Sequence, residues 1–353
     1  MPFPKHPFLQ LHLLTAHAPS NLNRDDANRP KTAIFGGEPR LRISSQSLKR
    51  AWRTSAVFAE QLKGHLAERT QRLGRLIVER LTGRGVEPDR AMDIAREIAG
   101  SIARINPETD QNPDFTRQMV MISPEEKKRA FDLADRWGKG ASPGKLTAAD
   151  VACAPESAAD IAMFGRMLAD APNQNVEAAV QVSHSLTTHR AVPEDDYYTA
   201  VDDRKAEGED AGAGFLGTLE FAAGLFYLYV CVDLRLLARN LGGDEALHRA
   251  TVGALVTAAA TVAPGGKQNA FASRARAFYV LAEQGGQQPR SLAAAFLTPV
   301  ENNGSHGPDS IAALENFRDR LDNAYGACAN AREKMNCLDG QGTLQELVAF
   351  ATQ

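Results

Sequence analysis

Residues 40–53, RLRISSQSLKRAWR, are the most informative stretch of this chain. Charged and apolar residues alternate from Arg40 to Ile43, which is typical of a short strand with one solvent-exposed face. Ser44 or Ser45 can then cap a helix, because a serine hydroxyl accepts a hydrogen bond from an amide of the first turn. Apolar residues follow at spacings of three and four. The stretch therefore predicts a strand leading into an amphipathic helix with one core-facing side.

The start of this helix is a candidate anion site. Backbone amides, hydroxyls and flanking cations favour a negative ligand there, and phosphate fits them best. The alternative is an ordinary solvated basic face, and this stretch alone does not decide between the two. Residues 1–53 hold nine Lys or Arg against three acids, a local net charge of +6 in a chain whose total is −3. Such a local excess indicates a nucleic-acid track.

The composition is that of a globular protein with room for two domains, or for one with large insertions: 353 residues, 43% hydrophobic and 24% charged. Four cysteines without a C-x-x-C pair predict neither a zinc ribbon nor a disulfide framework, and hence a reduced cytoplasmic compartment. The apolar run from Phe8 to Leu14 mimics a signal peptide, but its alternation favours a strand. The run Phe221–Val232 is shorter than the ~20 residues that span a bilayer, so we expect no membrane segment.

The periodic segments predict an α+β fold, in which a ferredoxin-like, RNA-recognition-motif-like domain is interrupted twice. The predicted strands are Phe8–Ala16, Arg40–Ile43, Asp160–Met167, Val180–Thr188, Gly217–Asp233 and Ala275–Leu281. The predicted helices are Ser44–Leu62, several between 63 and 155, Asp244–Val262, Ser310–Cys337 and Thr343–Ala351. The predicted parts are 1–62, the start of the sheet domain; 63–155, a helical insertion; 156–189, further strands; 190–221, a polar, acidic excursion; and 222–353, the completion with C-terminal helices.

Several residues are candidates for contact with nucleic acid because their side chains are basic or carry a hydroxyl or amide group. They are Arg24, Lys31, Arg42, Ser44, Gln46, Lys49 and Arg53, with Lys267 in the glycine-rich turn APGGKQ. That turn is not a nucleotide-binding P-loop, since Thr261 and Gln268 stand where a glycine and a Ser or Thr are required.

Asp25 and Asp26 could hold a divalent metal, but we favour structural carboxylates that hold nearby arginines. His184 and His189, five residues apart on a predicted strand, are poor co-ligands for a metal. The sequence shows no G-x-S-x-G, H-E-x-x-H or Cys/His nucleophile pattern. We therefore expect no enzymatic activity, no metal and no cofactor.

The segment NLNRDDANRPKTAIFGG, residues 21–37, followed by RLRISSQSLKRAWR closely resembles the backbone subunit of the type I-E CRISPR surveillance complex, Cascade. This family is also called CasC and belongs to the RAMP superfamily. The similarity extends in blocks from about residue 8 to about 285. The further blocks are DIAMFGRM (160–167), QVSHSLTTH (181–189), YTAVDD (198–203), GTLEF (217–221) and APGGKQ (263–268).

The resemblance implies a palm of ferredoxin-like fold, helical fingers and a thumb hairpin. It places the positions of Arg24, Lys31, Ser44, Gln46 and Lys49 along a guide-RNA track. It also places Arg166 and Met167 where an apolar side chain packs against a displaced base. The complete set of expected RNA-binding residues is Asn23, Arg24, Lys31, Arg42, Ser44, Gln46, Lys49, Arg53, Arg166, Met167, Lys267 and, in the thumb, Val201 and Phe215.

The function that the resemblance implies is a non-catalytic protomer that repeats head to tail along a CRISPR guide RNA (crRNA) as a helical filament. Its expected partners are the crRNA, other copies of itself, other Cascade subunits and target DNA, which pairs with the guide in antiviral defence. The alternative is a RAMP-type endoribonuclease that cuts precursor or target RNA. A helical scaffold without nucleic acid is a second alternative.

Overall fold

The computed structural model describes residues 3–141, 144, 146–153, 156–200, 215–301 and 304–353. Its strands are β1 Phe8–Ser20, β2 Thr32–Phe35, β3 Glu38–Ile43, β4 Glu68–Thr70, β5 Val120–Ile122, β6 Val180–Val182, β7 Ser185–Thr187, β8 Glu194–Ala200, β9 Phe215–Asp233, β10 Ala277–Gly285 and β11 Ala331–Asn336. Its α-helices are α1 Ser45–Arg53, α2 Ala56–Gln61, α3 Leu73–Thr82, α4 Pro88–Gly100, α5 Pro124–Gly138, α6 Ala148–Val151, α7 Ala159–Phe164, α8 Leu234–Asn240, α9 Glu245–Thr261, α10 Gln268–Phe271, α11 His306–Tyr325 and α12 Leu344–Ala351.

The main sheet is antiparallel, with strand order β11-β10-β1-β9-β7-β3-β2. Strands β6 and β8 also pair with β9, which is the longest strand described. Within this sheet, β1, β7, β9 and β10 act as the first to fourth strands of a ferredoxin-like unit, because β1 and β9 are central and β10 and β7 flank them. The α+β prediction is confirmed, and we call this sheet with its covering helices the palm.

Helices cover both faces of the palm, because successive side chains of a strand point to opposite faces. Leu13 of β1 joins one core with Trp52 of α1 and Val252 of α9. The next residue, Leu14, joins a second core on the other face with Leu314 of α11. The palm is therefore a layered structure in which α1 rests on one face of the sheet.

A separate core lies in the helical segment of residues 63–155, which we call the fingers. Ile77 of α3, Ile98 of α4 and Ala130 of α5 are completely buried there. The short sheet β4–β5 also contributes to this core, through Val120 and Ile122 of β5. Leu168, which follows α7 in sequence, also packs into the core of the fingers. The chain between α7 and Leu168 thus passes from the palm to the fingers.

Several predicted elements are corrected by the structure. Residues 160–164 do not form the predicted strand but belong to helix α7, which is buried on all sides. Gly165 follows the helix, and its φ of 77° reverses the chain. The helix predicted from Ser44 to Leu62 is broken into α1 and α2, since the Ser55 hydroxyl caps a new helix by accepting the Phe58 N–H at 3.2 Å. The helix predicted to reach Cys337 ends at Tyr325, and β11 follows as an edge strand beside β10.

Candidate nucleic-acid interface

The first turn of α1 is built as the sequence predicts. Ser44 is the N-cap, and its hydroxyl accepts the Ser47 N–H at 3.3 Å. Leu48 and Trp52 are buried, and the Trp52 indole donates to the Val262 carbonyl at 3.2 Å. Gln46 is exposed on the opposite side. The helix is thus anchored along one face. In its first turn the Gln46 side chain is exposed, whereas Ser44 is buried.

The loop of residues 21–31 is preorganised beside this turn. The Asp25 carboxylate accepts the backbone N–H groups of Ala27 and Arg29, both at 2.9 Å. The Asn21 amide, at the base of the loop, donates to the carbonyls of Asn28 and Glu220. Asp25 is therefore structural, but it holds backbone amides rather than the arginine side chains that we expected. Arg24 is exposed on the outside of this loop.

A cluster of positive groups lies between this loop and the sheet. The Arg42 N–H donates to the Lys31 carbonyl at 2.7 Å, and the Arg42 guanidinium donates to Nδ1 of His184 at 3.0 Å. Burial lowers the pKa of His184, and the charges of Arg42 and Lys31 lower it further. Among the residues that the structure describes, neither Lys31 nor Arg42 forms an ion pair with a carboxylate. These side chains are available to an anion.

His184 is a member of this cluster that the sequence reasoning considered only as a metal ligand. Its imidazole is exposed and lies 142 residues from Arg42 in the chain. The pairing of β3 with β7, in which Arg42 faces Leu186, brings the two together. His184 lies in the block QVSHSLTTH, but no local sequence pattern indicates that it could contact a phosphate.

Lys49 and Met167 are linked through the end of α7. The Lys49 ammonium lies 5.7 Å from the centroid of the Phe164 ring, a cation–π contact. Burial lowers the pKa of Lys49. Three residues beyond Phe164, the side chain of Met167 is 81% exposed, so it is not part of a core. Lys49 and Met167 remain predicted RNA contacts, and Phe164 links them.

Two predicted RNA contacts, Arg53 and Arg166, form ion pairs with buried carboxylates. The Arg53 guanidinium pairs with Asp160 at 2.9 Å, and that carboxylate is almost fully buried. The Arg166 guanidinium is 2% exposed and pairs with Glu126 at 2.7 Å. Each arginine neutralises a buried carboxylate, and the contact of either residue with RNA stays a prediction.

Lys267 joins the interface through a close backbone contact. Gly266 approaches the loop of residues 21–31 so tightly that a Cβ at that position would lie 2.3 Å from the Leu22 carbonyl oxygen. Lys267 follows with a left-handed φ of 53° and an exposed side chain. The APGGKQ turn is therefore packed on the basic loop, and only glycine permits this approach.

The thumb is only partly described. Val201 lies outside the described residues, and of Phe215 only the backbone is described, paired with Ala200. Strand β8 is exposed along its whole length. Its exposed residues include Tyr197 and the acids Glu194, Asp195 and Asp196.

The described part of the chain offers few features of a metal site, a membrane span or a reactive side chain. It contains no group of three or more His, Cys, Asp or Glu side chains that could hold a metal ion. No helix in that part is long and apolar enough to cross a membrane. All four cysteines are free thiols. Burial lowers the pKa of His17 to about 4, so its imidazole is neutral at pH 7.

Comparison with known proteins gives one family match and two structural matches. Residues 9–350 match the family of CT1975-like proteins. A chain of a CRISPR RNA-guided surveillance complex, pre-nicking, superimposes with a TM-score of 0.86 at 29% identity, over 98% of this chain and 100% of that chain. A chain of another CRISPR RNA-guided surveillance complex superimposes with a TM-score of 0.74 at 25% identity, over the same shares. No curated protein matches the sequence.

Proposed function

The chain belongs to the family of CT1975-like proteins, and from this premise we propose that it is a guide-RNA-binding backbone subunit of a CRISPR surveillance complex of the Cascade type. The two similar solved chains, both from CRISPR RNA-guided surveillance complexes and both covered along their full length, support this role. The resemblance of residues 21–53 supports assignment to type I-E. In this role the protein acts in the cytoplasm, in antiviral defence.

The observation that carries the proposal is the convergence of positive groups around the N-terminus of α1. The Asn23 side chain is hydrogen-bonded to the Ser44 cap, and the Arg42 N–H is bonded to the Lys31 carbonyl beside the same loop of residues 21–31. Lys267 follows Gly266, which packs on this loop. A helix N-terminus with such cations binds phosphate groups well. Because phosphate contacts carry no sequence information, the protein should accept guides of any sequence and leave their bases free to pair with target DNA.

The same proposal includes assembly and the absence of catalysis. Copies of the chain bind head to tail along the guide and form an open helical filament together with other Cascade subunits. The thumb, with its exposed β8, reaches toward the neighbouring copy. The protein holds RNA without cutting it. The Asp25 carboxylate, the candidate metal ligand of the endoribonuclease alternative, is engaged with its own loop.

Binding measurements with two unrelated single-stranded RNAs of equal length test this proposal. We expect similar affinities for both, and a steep loss of affinity between 50 and 200 mM salt, on the order of tenfold or more, since several phosphates are contacted. An affinity that follows sequence, or that barely changes with salt, would contradict the proposal. RNA cleavage that depends on a divalent metal and stops with chelator would support the endoribonuclease instead.

A further inference from the structure

Met167 is an exposed apolar side chain between two residues that are held inside the protein. It is 81% exposed, whereas Arg166 is 6% exposed and Leu168 is 3% exposed. The Arg166 backbone forms two hydrogen bonds with Val176, at 3.0 and 2.9 Å. The Leu168 N–H donates to the Asn175 side chain at 2.7 Å. Met167 is therefore presented to solvent by a rigid segment.

The Arg166 side chain ties this segment to the fingers. One guanidinium nitrogen donates to both carboxylate oxygens of Glu126 in α5, at 2.7 Å each, and to the Met121 carbonyl of β5. The other donates to the carbonyls of Cys153 and Gln174. Both charged side chains are nearly inaccessible, at 2% and 3% exposure. The pair thus joins several separate parts of the chain in one buried network.

Glu126 is itself held by the backbone of the fingers. Its carboxylate accepts the Ser123 N–H at 2.8 Å in the capping box of α5, and the Cys153 N–H at 3.0 Å. A carboxylate with this many partners has a single orientation. Its position is therefore set by α5, and Arg166 transmits that position to the segment that carries Met167.

The same segment is joined to the palm on its other side. Phe164, the last residue of α7, lies under the Lys49 ammonium of α1. Gly165 then packs so tightly on Val176 that a Cβ would lie 2.9 Å from its carbonyl oxygen. Phe164, Gly165 and Arg166 therefore connect Met167 with Lys49, a candidate phosphate contact. Each of these three residues is held by its neighbours.

We propose that the buried Glu126–Arg166 pair is a positioning device that holds Met167 at a fixed place relative to the phosphate contacts of α1. An apolar side chain held rigidly beside a strand of nucleic acid can be inserted between two bases and unstack them. The resemblance of residues 160–167 implies that an apolar side chain here packs against a displaced base, and the Glu126–Arg166 pair would fix which nucleotide of the bound RNA this is in each copy. This inference rests on the proposed function, since it requires RNA along α1.

The test replaces the pair by apolar side chains of similar size, Glu126→Leu together with Arg166→Met. Replacing both partners avoids the unpaired buried charge that removal of one partner leaves. The matched control is Asp114→Leu with Arg75→Met, which removes an ion pair inside the fingers, where Asp114 is completely buried. Met167→Ala removes the exposed side chain itself. Arg166→Lys keeps the charge but cannot reach all five acceptors.

The readout is acylation of the RNA 2′-hydroxyls, which reports unstacked nucleotides, on a single-stranded RNA long enough for several copies. For wild type and the control pair we expect reactive nucleotides at a constant spacing. For the Glu126–Arg166 double variant, Arg166→Lys and Met167→Ala we expect the pattern to become diffuse. In the double variant and in Arg166→Lys, RNA affinity should stay within about threefold, because the phosphate contacts remain.

Three results would overturn the inference: a folded double variant with the wild-type pattern, a Met167→Ala variant with that pattern, or wild type bound to RNA without any repeating pattern. If the double variant does not fold, as judged by circular dichroism, Arg166→Lys and the exposed Met167→Ala decide the question. A wild-type protein that does not bind RNA at all would instead refute the proposed function.

Discussion

The Asn23 side chain is hydrogen-bonded to the backbone of Ser44: its Oδ1 accepts the Ser44 N–H at 2.9 Å. This contact joins the basic loop of residues 21–31 to the N-cap of α1. The Lys31 N–H, in turn, donates to the Asn23 carbonyl at 2.9 Å. The loop, the helix cap and the neighbouring strand therefore form one unit, in which the Asn23 side chain joins the loop directly to the cap.

The variant Asn23→Ala is expected to weaken RNA binding severalfold and to lower the free energy of unfolding by about 1 kcal/mol, the net contribution of one hydrogen bond. Asn23→Asp keeps an oxygen acceptor for the Ser44 amide but places a negative charge next to the phosphates. It should preserve stability and weaken RNA binding more than the alanine does. Fluorescence anisotropy and thermal melting measure both quantities, and wild-type RNA affinity in the aspartate variant would rule out phosphate at this loop.

Lys49→Ala should remove one phosphate contact and leave the fold intact, because Lys49 lies off the buried stripe of Leu48 and Trp52. For a single strand, the slope of log affinity against log salt should shrink by roughly 0.7. Arg50→Ala is the matched control, since Arg50 is exposed next to it. An equal change of slope in both variants would show that the effect is only one of overall charge.

Arg53→Ala, one turn further along α1, should behave differently. Its removal leaves the buried Asp160 carboxylate without its ion-pair partner. We expect the free energy of unfolding to fall by about 2 kcal/mol, with an unchanged salt slope. A smaller salt slope with unchanged stability would place Arg53 on the RNA after all.

RNA binding should strengthen as the pH falls, through His184. Burial, Arg42 and Lys31 hold the pKa of His184 below its ordinary value of 6.5 in the free protein, so the imidazole is neutral at pH 7. A bound phosphate would stabilise the protonated form and raise this pKa, so binding takes up a proton. Affinity should therefore rise as the pH is lowered from 8 toward 5.5 at constant salt. His184→Gln should remove this part of the dependence, and an identical pH profile in both proteins would exclude His184 from the interface.

Deletion of residues 192–215, with a short glycine linker across the gap, should leave a folded palm. Every residue of β8 is exposed, so the deletion removes little from the cores. Helical content should be preserved while ordered assembly on a guide RNA is lost, as seen by size-exclusion chromatography. A deletion variant that assembles like wild type would show that this segment is only a surface loop.

The helix α1 and its cap could be predicted because their signals are local. A serine followed by apolar residues at helical spacing specifies both the start of the helix and its buried face. Strand β9 and helix α9 could be predicted for the same reason, as long segments with uniform character. In contrast, α7 was predicted as a strand, because a short apolar run that is buried on every side has no distinguishing period.

The roles of Arg166 and His184 could not be predicted, because they depend on distant partners. Glu126 lies 40 residues from Arg166, and nothing near either residue indicates that they meet in the interior. Because Arg166 lies in a block that resembles an RNA-binding family, the sequence predicts contact with RNA. In the structure its guanidinium instead pairs with the buried Glu126 carboxylate. His184 joins the interface only through the pairing of β3 with β7.

We propose above all that copies of this chain bind head to tail along one guide RNA. Native mass spectrometry of the protein purified with guides of increasing length tests this proposal most directly. We expect RNA in every complex, and a number of copies that grows in whole steps as the guide is lengthened. A protein that purifies without RNA, or a number of copies that is independent of guide length, would contradict it.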